Sequence, residues 1–337
     1  MSAYDIEIGK LISGRRELAG KGGYLLCTPD KQIQEIAGLD LYDGIYVSRK
    51  DIENALYDFC KSALSSYIEE GRNKDVYTFS IYTDSYNGYY VVYINNVASL
   101  NRTVDQSYAG YQKTYAEKGD EFYNKSREQV FRSLQFGEGD YPFMYDGMTE
   151  PLDHYLRIFN SISQEEPYYL DIENNYIFDK TIVDSELFLI AIDVIHRLEE
   201  ELEQLDQTDD FIAYVSAADG VGGDYLTLSQ LIRKCITEEQ LYKAMPELKD
   251  MDLGLQSAIR AVKELPLNEQ VDHWVSVFEE GEFGKDSMEQ FLRTDYEAYE
   301  QLADLGHGII PLIENYLQSE LTDESRLILE ILMEDLQ

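Results

Sequence analysis

"VYTFSIYTDSYNGYYVVYINNV", residues 76–97, is the stretch that decides the fold. β-Branched and aromatic residues fill Val76–Thr83 and Tyr89–Asn95, and Asn87-Gly88 lies in the four-residue connection Ser85–Gly88. That pattern predicts two antiparallel strands around a tight turn, with Tyr86 at its tip. The strand period puts Tyr77, Phe79 and Ile81 on one face, and Val76, Thr78 and Ser80 on the other. The first face is expected to pack on a helix, so part of this tyrosine is core. Tyr86, Tyr89 and Tyr90 crowd the tip, where not all of them can be buried.

The helix to pack there precedes the hairpin. In "VSRKDIENALYDFCKSALSSYIEEG" (47–71), Ser48 is the predicted N-cap with Asp51 three residues on. Ile52, Ala55, Leu56, Phe59, Ala63, Leu64 and Tyr67 recur at helical spacing, and Gly71 ends the run. After the hairpin, "NKSREQVFRSLQF" (124–136) and "TEPLDHYLRIFNSI" (149–162) read as helices. "SQEEPYYLDIENNYIF" (163–178) reads as a loop carrying Tyr168 and Tyr169. "DSELFLIAIDVIHRLEEELEQL" (184–205) reads as one helix with a buried stripe from Leu187 to Leu205. Glu199, Glu200, Glu201 and Glu203 load its end, where the helix dipole is already negative and acid is unfavourable. Asp209 and Asp210 open a strand, followed by a glycine-rich loop and a helix, within 209–236. Beyond about residue 250 every segment reads as helix. The expected class is α+β: a small antiparallel sheet packed with helices, followed by an all-helical C-terminal region. The expected divisions are an N-terminal extension (1–47), an α+β domain (48–249) and the helical region (250–337).

The net charge of −37 is unevenly spread. Residues 1–150 carry −7 and residues 151–337 carry −30. A field of that sign repels phosphates and anionic lipid, so neither nucleic acid nor a membrane is expected as a direct partner. It would steer a basic protein. Such acidity also serves solubility alone, and both readings stand at this point. Cys27, Cys60 and Cys235 are far apart and odd in number, which predicts free thiols in a reducing compartment. Met1–Lys10 shows no apolar leader, which predicts a cytoplasmic protein.

Catalytic signals are missing. "SGRRELAGKGG" (13–23) approaches a phosphate loop but has five residues between Gly14 and Gly20, and Gly22 follows Lys21 where Ser or Thr is required. His154, His196, His273 and His307 are scattered without ligand spacing. Asp219-Gly-Val-Gly-Gly-Asp224 lacks the spaced oxygens and terminal Glu of a calcium loop. No catalytic residue, cofactor or metal is expected.

The helix "DIENALYDFCKSAL", the strand "YTFSIYTDS", the helix "ELFLIAIDVIHRLEEEL" and the segment "DDFIAYVSAADGVGGD" occur in an order that resembles a bacterial family, domain of unknown function 4303. The resemblance spans about 48–245, and Phe79–Asp84 departs slightly from the family's "ALYTD"-like strand. "YEQLADLGHGIIPLIENYL" (299–317) is similar to HEAT-like helices that accompany such proteins. The resemblance implies an immunity protein encoded beside a polymorphic toxin, and it carries no catalytic residues.

The expected function is therefore inhibition by binding. An acidic, tyrosine-rich surface would capture a basic toxin domain or nuclease, through Tyr86, Tyr89, Tyr90, Tyr168, Tyr169, Glu199, Glu200, Glu203, Asp209 and Asp210. Tyrosine supplies rigid apolar area with a polar rim, and the carboxylates supply steering. Two alternatives stand beside it: a nucleic-acid mimic, of phage or host origin, that blocks a defence nuclease, and an enzyme with an unrecognised site.

Overall fold

The computed structural model describes residues 2–15, 23–165, 167, 170–217, 228–280, 292 and 294–337. It is an α+β structure that divides into two compact units. The chain opens with α1 (Ser2–Ser13), which belongs to the first unit together with Ala217–Arg233 and Leu241–Gln337. Lys21–Ser216 and Lys234–Gln240 form the second. Residues 1–47, expected as one extension, are thus shared between the two.

The second unit holds two four-stranded sheets. The first runs β2–β1–β7–β3 and comprises β1 (Tyr24–Cys27), β2 (Ile33–Ile36), β3 (Ile45–Val47) and β7 (Tyr176–Asp179). It is mixed, since β3 pairs parallel to β7 while β1 is antiparallel to both of its neighbours. An entirely antiparallel sheet was the expectation, and β7 falls inside the stretch expected as a loop. The second sheet runs β6–β5–β4–β8, with β4 (Val76–Asp84), β5 (Tyr89–Asn96), β6 (Met144–Tyr145) and β8 (Gln207–Ala217). The hairpin β4–β5 is its centre.

Between the sheets in sequence lies α2 (Arg49–Glu69). It starts at the predicted cap: Ser48 Oγ accepts the Asp51 N–H and the Asp51 carboxylate accepts the Ser48 N–H. After β5 come α3 (Val97–Lys118), capped by the Asn96 side chain, α4 (Arg127–Gln135), capped by Ser126, and α5 (Leu152–Ser163). The expected helix over 184–205 is split in two: after α6 (Lys180–Asp184), which ends where it was to begin, come α7 (Phe188–Arg197) and α8 (Glu199–Leu202). Glu186 and Leu187 separate the first two with φ of 50° and 53°, a region that side-chain-bearing residues rarely enter.

The hairpin is covered on both faces. Phe79, Ile81, Val92 and Ile94 are fully buried on the side where β4 meets α7 and β5 meets α2. Thr78 and Ser80, on the opposite face, are equally buried. Tyr77 does not keep company with Phe79. A register shift between Val76 and Thr78 turns it toward Leu100, Val104, Val130 and Tyr141, a cluster built with α3 and α4.

In the first unit the remaining helices are α9 (Leu228–Cys235), α10 (Glu238–Ala244), α11 (Pro246–Lys263), α12 (Leu267–Glu280), α13 (Asp295–Asp304), α14 (Ile310–Leu317) and α15 (Asp323–Asp335). The last residues of α9 and the first of α10 lie in the second unit. Trp274, Tyr299, Leu302, Ile313, Leu329 and Leu332 form the unit's core, and Ile6 of α1 joins them. Gly9 lets α1 approach: a Cβ there would lie 2.2 Å from the Tyr296 ring. Lys10 reaches Asp335 at 2.7 Å, and Ser13 Oγ meets the Tyr296 hydroxyl at 2.5 Å.

Candidate functional site

Two grooves of the second unit concern the predicted residues. The larger, of about 570 Å³, is lined by His196, Glu199, Glu203, Gln207, Phe211, Lys234 and Gln240 among others. His196 Nε2 lies 2.9 Å from the Lys234 carbonyl. The acidic run enters this groove differently from the sequence expectation. Helix α7 ends at Arg197, with His196 and Arg197 in its last turn, so its negative end carries basic residues. Glu199, Glu200 and Glu201 instead open α8, where acid is tolerated, and the expected dipole penalty does not arise.

Within that run the carboxylates have separate roles. Glu201 pairs with Lys61 at 3.0 Å and accepts the Tyr57 hydroxyl, and these two partners hold its carboxyl below the usual range. Glu199, Glu200 and Glu203 are exposed and make no ion pair among the described residues. Asp209 is exposed and Asp210 half-buried on β8. Glu199, Glu200, Glu203 and Asp209 are carboxylates left to solvent.

The tyrosines separate by strand parity. Tyr86 is two-thirds exposed, while its backbone is clamped: Gln164 Nε2 donates to its carbonyl at 2.7 Å, and Asn160 Nδ2 donates to the Asn87 carbonyl at 2.6 Å. Gly88, at φ 67°, sits so close that a Cβ would lie 2.9 Å from the Leu156 carbonyl. Tyr90 is a correction. It is fully buried, its hydroxyl donating to the Leu187 carbonyl at 2.9 Å, and it cannot touch a partner in this fold. Tyr89 is half-buried and faces Tyr82. Tyr168, Tyr169, the loop at 219–224 and the near-miss phosphate loop from residue 16 to 22 lie outside the described residues.

The second groove, of about 430 Å³, is lined by Tyr82, Tyr89, Tyr90, Val91, Tyr93, Met144, Asp146 and Met148. Tyr82, Tyr89, Val91 and Tyr93 share one face of the hairpin through the pairs Tyr82–Val91, Asp84–Tyr89 and Ser80–Tyr93. The tip residues alone do not mark this groove; the alternation along Tyr89, Val91 and Tyr93 carries the rest of its wall.

Farther along the same face lies a polar cluster that no motif announced. Glu138 is pushed above the usual carboxyl range by burial, against which the Ser216, Tyr214 and Ser80 hydroxyls favour its charged form. Those hydroxyls are near it without closing on it: Glu138 Oε1, Ser80 Oγ, Tyr214 OH, Ser216 Oγ and Thr78 Oγ1 are all sealed from solvent with no hydrogen bond of normal geometry. Among the described residues no group of three His, Cys, Asp or Glu side chains converges as a metal site. No described helix is long and apolar enough to cross a membrane. The buried thiols of Cys27 and Cys235 are each pushed up to about 12 by desolvation, which leaves them poor nucleophiles.

No family model, curated protein or solved structure matches this chain.

Proposed function

We propose that the protein is an inhibitor that acts by binding, capturing a basic protein such as a toxin domain or nuclease on the acidic groove beside α8. The supporting observation is the divided use of one acidic run. Glu201 is consumed by Lys61 and Tyr57, whereas its neighbours Glu199, Glu200 and Glu203 are exposed and make no ion pair among the described residues, and Glu199 and Glu203 line the groove together with Lys234. Exposed, unneutralised carboxylates of one sign set a steering field, and their desolvation on binding is offset only by a cationic partner. The resemblance to immunity proteins points to a toxin as that partner.

The test is protection. Cells expressing the basic protein encoded by the adjacent gene should survive when this chain is co-expressed. The triple variant Glu199→Gln, Glu200→Gln, Glu203→Gln should protect less while folding as the parent does. Full protection by the folded triple variant would remove the acidic groove from the function.

A further inference from the structure

We propose that the Tyr82–Tyr89–Tyr93 groove is a cage for one basic side chain, an arginine or lysine projected by a polypeptide partner. The groove lies on the hairpin face and shares no lining residue with the acidic groove beside α8. It does not require the toxin-inhibitor reading.

Three rings build the wall. Tyr82 is the corner, tilted 33° to Tyr89 at 6.2 Å between centroids and 88° to Tyr93 at 6.3 Å. This corner borders a space too large for a single water, which Val91 also lines. Met144, half-exposed, and Met148 supply soft, polarizable sides. The charge around this space has one sign. Asp146 lines it, Asp84 stands behind the Tyr82 and Tyr89 hydroxyls, and Glu138 lies in reach of Tyr93. Asp84 is fixed there by Asn87, whose backbone N–H and side-chain amide each donate to it at 2.8 Å. Among the described residues no lysine or arginine lines the groove.

That last point separates this site from several other aromatic surfaces of the unit, which already carry the chain's own cations. Arg197 lies 4.4 Å from the Tyr57 ring centroid, Arg72 4.5 Å from Phe143, and Lys125 4.8 Å from Tyr111. The three tyrosines of the groove hold no such cation among the described residues. Aromatic faces backed by carboxylates attract a desolvated cation by the ring quadrupole and by Coulomb energy together. A neutral side chain of the same shape would gain only the apolar contact.

The experiment follows the methyl signals of Met144 and Met148 in the full-length chain, labelled at methionine methyls, during titration with acetyl-Gly-Arg-Gly-amide. The matched peptide with citrulline, and free choline, are titrated in parallel. Saturable shifts with the arginine peptide are expected, and binding of the citrulline peptide should be weaker by about tenfold, the loss of one desolvated cation–π contact. Tyr89→Leu should abolish the shifts, and Asp146→Asn should weaken them. The triple glutamine variant at 199, 200 and 203 should leave them unchanged, which separates this site from the acidic groove. Equal binding of the citrulline peptide, no saturable shift with arginine, or tighter binding of choline would each overturn the proposal. None of those three outcomes depends on a variant that has to fold.

Discussion

Tyr90 sits where two strained residues need a partner. Its hydroxyl and that of Ser85 donate to the Leu187 and Glu186 carbonyls, the two positions with φ near 50° that end α6 and set α7 on its course. Tyr90→Phe removes one of two donors to the Leu187 carbonyl, which keeps the Ala191 N–H at 3.1 Å. A loss of about 0.5–1.5 kcal/mol is expected, read from urea melts. Tyr86→Ala should shift the same melts little, because the side chain is exposed and only the backbone at the tip is clamped. Phe79→Ala, in contrast, empties a fully buried site and should cost about 3–5 kcal/mol. Glu138 carries the pH dependence. Burial raises its folded-state pKa above the unfolded value, so its contribution is most favourable at low pH and is lost as pH rises through the raised value. Glu138→Gln fixes the neutral form. It should therefore raise the melting temperature at about pH 7 and confer no gain near about pH 3, where the parent carboxyl is protonated in both states. An equal gain at both pH values would mean that charge burial is not the cause.

At the scale of elements, close approach was the feature the sequence concealed. The hairpin and α2 were legible because period-two and period-3.6 patterns coincide with standard signals, an Asn-Gly turn and a Ser-x-x-Asp cap. The break at Glu186 and Leu187 was not, because it falls at the start of a stripe from Leu187 to Leu205 whose helical spacing is intact. The constraint that bends the chain comes from Ser85 and Tyr90, about a hundred positions away. The three short strands before residue 48 and β7 were equally hidden. Each is only three or four residues long, too short for a period to show, and their pairing joins residues 24–27 to 176–179. Nor could spacing reveal that α1 docks on α13 and α15. That contact depends on Gly9 over the Tyr296 ring, where Gly9→Ala would force the ring aside. Overpacking there should cost about 1–3 kcal/mol in a thermal or urea melt of the whole chain. A variant as stable as the parent would show that α1 contributes little to its unit.

Across the whole molecule the charge of −37 sets the terms of any association. The sequence located the excess in the second half, and the structure adds which carboxylates are committed. Lys10, Lys61 and Arg233 each hold an acid at 2.7–3.0 Å, while Glu199, Glu200, Glu203 and Asp209 stay in solvent. Three of the five predicted contact tyrosines, Tyr86, Tyr89 and Tyr90, were assigned by position on the hairpin alone. Their fates differ because alternate residues face opposite sides, so Tyr90 went to the core and Tyr89 to a groove. Exposed charges act over about 10 Å at ~0.1 M salt. Where the adjacent gene encodes a basic protein, the association rate with it, measured across an ionic-strength series for the parent and for the Glu199→Gln, Glu200→Gln, Glu203→Gln variant, is the direct test. A steep fall with salt for the parent, and a slower, flatter profile for the variant, are predicted. Identical, salt-insensitive rates for both proteins would contradict capture by the acidic groove.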